Sequence, residues 1–227
     1  MKNLGKIVLH IPAREGSKRV PRKNLREMNG KPMISYVIEA SINAGITDQM
    51  YVNTDSEEII EYVNAAYPEF KIYRREKSLA DDNASSDQFN HDIIKKLKPD
   101  TLVMINPVCP LISPGDIQDA LERFRVVDCD TLITADATKM QTFCEGLPVN
   151  INIDEQLAPS QDNKKVYTLN WAVTIWDAAS FNERMTRLGY AVLGDKRELF
   201  EIDVIKGIKV SEEKDFLFAE TIVKSLS

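Results

Sequence analysis

Short apolar runs alternate with longer amphipathic stretches over residues 1–135, and that alternation leaves few folds open to the chain. Strands separated by helix-length segments are the pattern of βαβ units, which build a mostly parallel sheet with helices packed on its faces. The runs Ile7–Ile11, Met50–Asn53, Lys71–Tyr73, Thr101–Ile105 and Thr131–Thr134 are expected strands. Between them, Met33–Asn43, Glu57–Ala66, Asp87–Leu97 and Pro114–Phe124 carry helical periodicity. Ser113 before Pro114 predicts a capped helix with proline in its first turn, and Asp55 or Ser56 predicts a cap for the second helix.

Beyond this half the rhythm changes. Gln141–Lys165 is rich in polar and turn residues without a helical period, which predicts irregular structure or a β-excursion. VYTLNWAVTIW then reads as a strand, with Asp177 opening a helix to about Leu188. Two further strands are expected at Glu201–Val204 and Gly207–Val210, then a helix from Glu212 to Leu226. A length of 227 residues, with no repeat and no low-complexity linker, fits a single domain. No apolar run approaches 18 residues, so no membrane span is expected, and the N-terminal run ending at Pro12 reads as a strand rather than a signal peptide. Cys109, Cys129 and Cys144 lack metal-ligand spacing and are read as small buried hydrophobes of a cytoplasmic protein.

Charge is the second constraint. Between Pro12 and Lys31 lie Arg14, Lys18, Arg19, Arg22, Lys23, Arg26 and Lys31 against Glu15 and Glu27, a local balance of +5 in a chain of net charge −6. The acidic remainder argues against a general nucleic-acid partner. A run of Lys and Arg is by default a solvated face. This one, however, follows the first strand directly, at the carboxyl edge where open α/β sheets bind ligands. Gly16 permits close backbone approach, Ser17 adds a hydroxyl, and Arg14, Lys18 and Lys23 add charges of different reach, so a polyphosphate is the expected guest. The spacing is not that of a Walker A loop.

The stretch IPAREGSKRVPRKN, with NGKPM after it, resembles the N-terminal motif of the acylneuraminate cytidylyltransferase family, the CMP-sialic acid synthetases and their relatives for other nonulosonic acids. YVNTDSEEI, RREKSLADDNASS and INPVCPLISPGDI extend the likeness to about residue 125. The resemblance implies a three-layer α/β/α, Rossmann-like nucleotidyltransferase fold. It implies that Arg14, Ser17, Lys18 and Lys23 hold the triphosphate of CTP, that Asn24 and Arg75 read the nucleoside, and that Ala80 lines the base pocket. It makes Arg14 and Lys23 the candidate catalytic residues, in a reaction where the anomeric hydroxyl of a 2-keto sugar acid attacks the α-phosphate and pyrophosphate leaves. It further implies a homodimer built through an arm at about residues 140–166.

Two segments depart from the family pattern. The resemblance implies an Asp-Ile-Asp holding Mg²⁺, but GIKVSEEKD puts Lys209 and Ser211 at the two aspartate positions, so the metal ligands are unknown, with Asp203 and Asp215 the nearby carboxylates. On the acceptor side, Asn106-Pro107-Val108-Cys109-Pro110-Leu111-Ile112 replaces hydroxyls and an arginine with apolar groups. Asn106 and Asn170 are the candidate acceptor-binding residues. The expected function is cytidylyl transfer to a sialic-like acid; the alternatives are a nucleotide-binding homologue with lost or altered transfer and a transferase for a different acid. His10 and His91 are read as structural. Trp171 and Trp176, five apart in a strand, are expected on opposite faces, one in the core and one at a pocket or interface.

Overall fold

The run Ile7–Pro12 forms strand β1, and its residues 8–11 are buried, as a strand covered on both faces must be. In the computed structural model, which describes residues 1–16, 19–81 and 83–226, β1 leads into a long loop with a small hairpin, β2 (Glu27–Met28) and β3 (Lys31–Pro32). Helix α1 (Met33–Ala44), β4 (Met50–Thr54), α2 (Glu57–Ala66), β5 (Lys71–Arg74), α3 (Ser86–Leu97) and β6 (Thr101–Ile105) follow. Next come α4 (Pro114–Val126), β7 (Thr131–Thr138), a short hairpin of β8 (Phe143–Cys144) and β9 (Leu147–Pro148), and β10 (Val166–Asp177). The chain closes with α5 (Ala178–Leu188), β11 (Arg197–Glu201) and α6 (Glu213–Leu226).

Among the described residues, seven strands form one sheet in the order β11-β7-β10-β6-β1-β4-β5. Only β10 runs antiparallel to its neighbours; the other pairings are parallel. Alternate residues of β1 enter different cores: Leu9 and Ile11 pack with Val37, Ile59 and Ile117 of α1, α2 and α4, whereas Val8 packs with Ile93 and Phe181 of α3 and α5. Those two layers and the sheet make the α/β/α sandwich the sequence predicts. A third cluster joins Val20 and Met28 of the loop after β1 to Val210 and to Phe216, Ala219 and Val223, so α6 holds that loop down.

The caps work largely as read. Ser113 and Asp116 form a reciprocal capping box with Pro114 in the first turn, and Asp177 accepts from the Ser180 amide at 2.8 Å. Ser56 occupies the cap position of α2 without a side-chain cap bond, and Asp55 instead accepts from the Glu15 amide at 3.0 Å. Cys109 and Cys129 are buried, but Cys144 is exposed, because its hairpin stands off the core.

The carboxyl-terminal strands differ from expectation. Instead of Glu201–Val204 the strand is Arg197–Glu201, and Gly207–Val210 forms none. Asp203 explains this: its Oδ1 accepts from the Ile205 amide at 2.8 Å and its carbonyl from the Gly207 amide at 3.0 Å, which turns the chain out of the sheet. Lys206 then docks on Asp116 at 2.9 Å. The excursion between β7 and β10 is mostly irregular, as its composition predicts, and is tied by side-chain amides. Asn150 Nδ2 donates to the carbonyls of Met140 and Lys164 at 2.9 and 3.0 Å, and Asn163 Nδ2 to that of Lys139 at 3.0 Å. No helix among the described residues is long and apolar enough to cross a membrane.

Candidate functional site

Strand order reverses at β1: β4 and β5 are added on one side, then α3 carries the chain back to place β6 on the other. The crevice at the carboxyl ends of two strands that diverge in this way is where open α/β sheets bind ligands. A cleft of about 690 Å³ opens there, bordered by Pro12 at the end of β1, Asn106 after β6 and Arg75 after β5.

The basic segment is sorted by its surroundings. Arg22, Arg26 and Lys31 pair with Glu58, Glu213 and Glu39. Arg14, Arg19 and Lys23 line the cleft, while Ser17 and Lys18 lie outside the described residues. Lys23 Nζ donates to the Val210 carbonyl at 2.9 Å, and Val210 in turn donates its amide to the Val108 carbonyl at 2.8 Å. Burial pushes the Lys23 ammonium below its usual pKa, and the cations of Arg19, Lys209 and Arg14 add to that against the opposing Asp215. A group whose charge is disfavoured by its own surroundings regains that charge's stabilisation when an anion arrives.

Asn24 and Arg75 also border the cleft. Asn24 Nδ2 reaches the Arg14 carbonyl at 3.3 Å, and Arg14 Nη1 reaches the Ala80 carbonyl at 3.3 Å, so Ala80 enters the site through its backbone. Arg75 is buried, donating Nε to Asn53 Oδ1 at 2.9 Å and Nη2 to the Asn53 carbonyl at 3.0 Å. Its guanidinium lies 4.5 Å from the centre of the Phe89 ring. Burial lowers its pKa to about 10, with Asp55 resisting and Arg14 adding to the shift. His10 is fully buried in β1, and burial with the charge of Arg75 pushes it down to about 3, with Asn90 opposing; it is a neutral structural imidazole beneath the site.

Much of the remaining wall of the cleft is apolar. Met104, Pro107, Val108, Phe89, Trp171 and Val192 line it, with Asn106 as the amide among them. Val108 reaches the cleft, whereas Cys109 and Ile112 turn into the core. Asn170 is buried below the wall: its Oδ1 accepts from Thr134 Oγ1 at 2.7 Å and its Nδ2 donates to Asp136 Oδ1 at 2.9 Å. That network sits in a β-bulge between Leu169 and Thr174, where Trp171 takes φ +62°, rare for a bulky residue. Trp171 therefore faces the cleft while Trp176 is core, the division the spacing predicts. Arg19, Phe89 and Trp171 join the site residues here. Arg19 was present in the basic run, but the positions of Phe89 and Trp171 depend on tertiary packing.

Lys209 and Ser211 put no carboxylate at the two positions where the resemblance implies Mg²⁺ ligands. The ion wants several hard oxygen ligands in octahedral array, and an ammonium offers none. Asp215 spends one carboxylate oxygen on the amides of Ser211 and Glu212 at 2.9 and 2.8 Å, and Asp203 is committed to its own turn. Among the described residues no three His, Cys, Asp or Glu side chains gather to hold an ion.

Comparison with known proteins gives the following. The sequence model of the family described as "cytidylyltransferase" matches residues 8–201. The pseudaminic acid cytidylyltransferase of Campylobacter jejuni subsp. jejuni serotype O:2 is 40% identical over 119 residues, 50% of this chain and 51% of the relative, so the match spans about half the length of that protein. The CMP-N,N'-diacetyllegionaminic acid synthase of Legionella pneumophila is 27% identical over 188 residues, 78% of this chain and 81% of the relative. Among solved structures, a CMP:2-keto-3-deoxy-manno-octonic acid synthetase complexed with CTP superposes with a TM-score of 0.72 at 17% identity, over 98% of this chain and 100% of that one. This last likeness is one of fold.

Proposed function

This chain belongs to the cytidylyltransferase family, and we propose that it transfers CMP from CTP to a sialic-type sugar acid. The observation that carries the reading is that Arg14, Arg19 and Lys23 together line a switch-point cleft whose remaining wall is largely apolar. Displacement at phosphorus needs positioning and concentrated positive charge more than a covalent partner. The acceptor hydroxyl oxygen attacks the α-phosphorus, the P–O bond to the β-phosphate breaks, pyrophosphate leaves, and the hydroxyl proton passes to solvent. Arg14 and Lys23 meet the charge that gathers on the α-phosphate and the departing pyrophosphate, with Ser17 and Lys18 of the same loop as further triphosphate ligands. Asn24, Arg75 and the Ala80 backbone hold the nucleoside. Asn106 faces the acceptor, and Asn170 serves it by fixing the bulge that presents Trp171. The names of the relatives support a nonulosonic acid as acceptor.

The same reading makes the protein a single-domain cytoplasmic homodimer, and the exposed apolar side chains of Phe143, Leu147, Val149, Ile153 and Leu157 support residues 140–166 as the arm that joins the subunits. A second reading, nucleotide binding without transfer, is favoured by Lys209 and Ser211 at the positions of the expected metal ligands. Pyrophosphate release from CTP over a panel of nonulosonic and other 2-keto sugar acids separates the two. Transfer predicts acid-dependent release with CTP and none with ATP. Measurable CTP binding with no release for any acid would replace the first reading with the second.

A further inference from the structure

Trp171 holds a backbone conformation that its own side chain disfavours. Its φ of +62° lies in the left-handed region, where glycine rests at no steric cost and a bulky side chain is strained. Such strain persists only where the surroundings over-determine it. Here they do. On one side the Asn170 side chain is bonded to Thr134 and Asp136, and its Oδ1 also accepts from the Ala172 amide at 3.1 Å. On the other side the Ala172 carbonyl accepts from the Asn106 amide at 2.9 Å. Core packing does not account for the choice of residue, because Trp171 belongs to none of the three hydrophobic clusters among the described residues. It lines the cleft instead.

Strand register fixes which part of the cleft it lines. Val173 pairs with Ile105, the last residue of β6, so Trp171 stands just past the carboxyl end of that strand, next to the loop that carries Asn106, Pro107 and Val108. In the sheet order β10-β6-β1-β4-β5, this is the opposite side of β1 from Arg75, which follows β5. Arg75 and the basic loop are assigned to CTP, which leaves the Trp171 side to the acceptor. Met104, Pro107, Val108 and Val192 surround Trp171 there with carbon, and Asn106 adds one amide. A hydroxyl pressed against such a wall loses its water and finds no partner, whereas a methyl group or a deoxygenated carbon gains by leaving water.

We propose that Trp171 is a specificity-determining residue for the acceptor: its indole forms an apolar wall that selects a 2-keto sugar acid presenting acylamino methyl groups or deoxygenated carbons there, and disfavours one with hydroxyls at the same carbons. The inference rests on the reading of the cleft as the site of CMP transfer. The strained backbone is then the cost of aiming an aromatic face at a position where glycine would suit the chain better.

The test measures pyrophosphate release from CTP by the full chain with two nine-carbon 2-keto sugar acids, one bearing acetamido groups and one with hydroxyls at the same carbons. Wild type, Trp171→Gly and Trp171→Phe are compared, with denaturant unfolding of each. Wild type is expected to favour the acetamido acid at least about tenfold in kcat/KM, the order of one buried polar group left unpaired. Glycine relaxes the backbone and removes the wall. Trp171→Gly is therefore expected to bring that ratio to about one through a higher KM for the acetamido acid, with the KM for CTP as in wild type and an unfolding midpoint no lower. Trp171→Phe, which keeps an aromatic face, is expected to hold the ratio within about threefold of wild type. No preference in wild type, an unchanged ratio in Trp171→Gly, or a Trp171→Gly midpoint well below wild type, which would assign the indole to packing, overturns the inference while leaving CMP transfer standing. Release with neither acid also overturns it, and the transfer reading falls with it if no other 2-keto sugar acid is turned over.

Discussion

Lys23 concentrates the physical argument. It is half-buried, held by one carbonyl, and surrounded by cations that work against its own charge. A triphosphate relieves all of those costs together, and replacing Lys23 with alanine removes a charge-assisted hydrogen bond. The Lys23→Ala variant is therefore expected to lose about 1.5–3 kcal/mol of CTP binding free energy, read by calorimetry. Unchanged affinity would mean that the phosphates lie elsewhere. Arg14, Lys23, Asn24 and Arg75 were legible because they sit in a long, specific motif, and the structure gathers all four at one cleft. Phe89 was not legible as a cleft residue, and the spacing put one of Trp171 and Trp176 at a pocket or interface without saying which. Phe89 reaches the site only because α3 packs across β1, and Trp171 because a bulge rotates it. Single-residue propensities carry no trace of either.

The elements divide by what sets them. β1, β6 and α4 follow from local signals, a continuous apolar run or a capped periodic stretch, and appear within one or two residues of their expected bounds. The expected strand Gly207–Val210 fails because strand propensity there competes with the turn that Asp203 nucleates and with the docking of Lys206 on Asp116. This segment instead packs on the bulge of β10. A Cβ added at Gly207 would lie 2.3 Å from Asp136 Oδ1 and 2.5 Å from Asn170 Nδ2, inside the bonded pair that shapes the bulge. Gly207→Ala is accordingly expected to destabilise the fold by about 1–3 kcal/mol, measured as a lower midpoint of denaturant unfolding at unchanged slope. An unaltered midpoint would show that the segment is not seated against β7 and β10 as described.

Over the whole molecule, one topological fact and one electrostatic fact coincide. The sheet reverses its order between β1 and β6, which opens a crevice, and a chain of net charge −6 sets a segment of +5 at its rim. The charge was readable by counting, and the βαβ rhythm announced a mostly parallel sheet with a ligand edge after β1, while the strand order itself came only with the structure. The antiparallel insertion of β10 and the irregular excursion before it were readable only as a break in that rhythm. Three of the seven cations pair with glutamates outside the cleft, and three line it, so the fold selects from the basic run rather than presenting it whole. A crystal structure of the chain with CTP tests this account most directly: the triphosphate should lie against Arg14, Arg19 and Lys23, with the base toward Asn24 and Arg75. A nucleotide bound outside this cleft, or within it with the phosphates toward Trp171 and Val192, would contradict it.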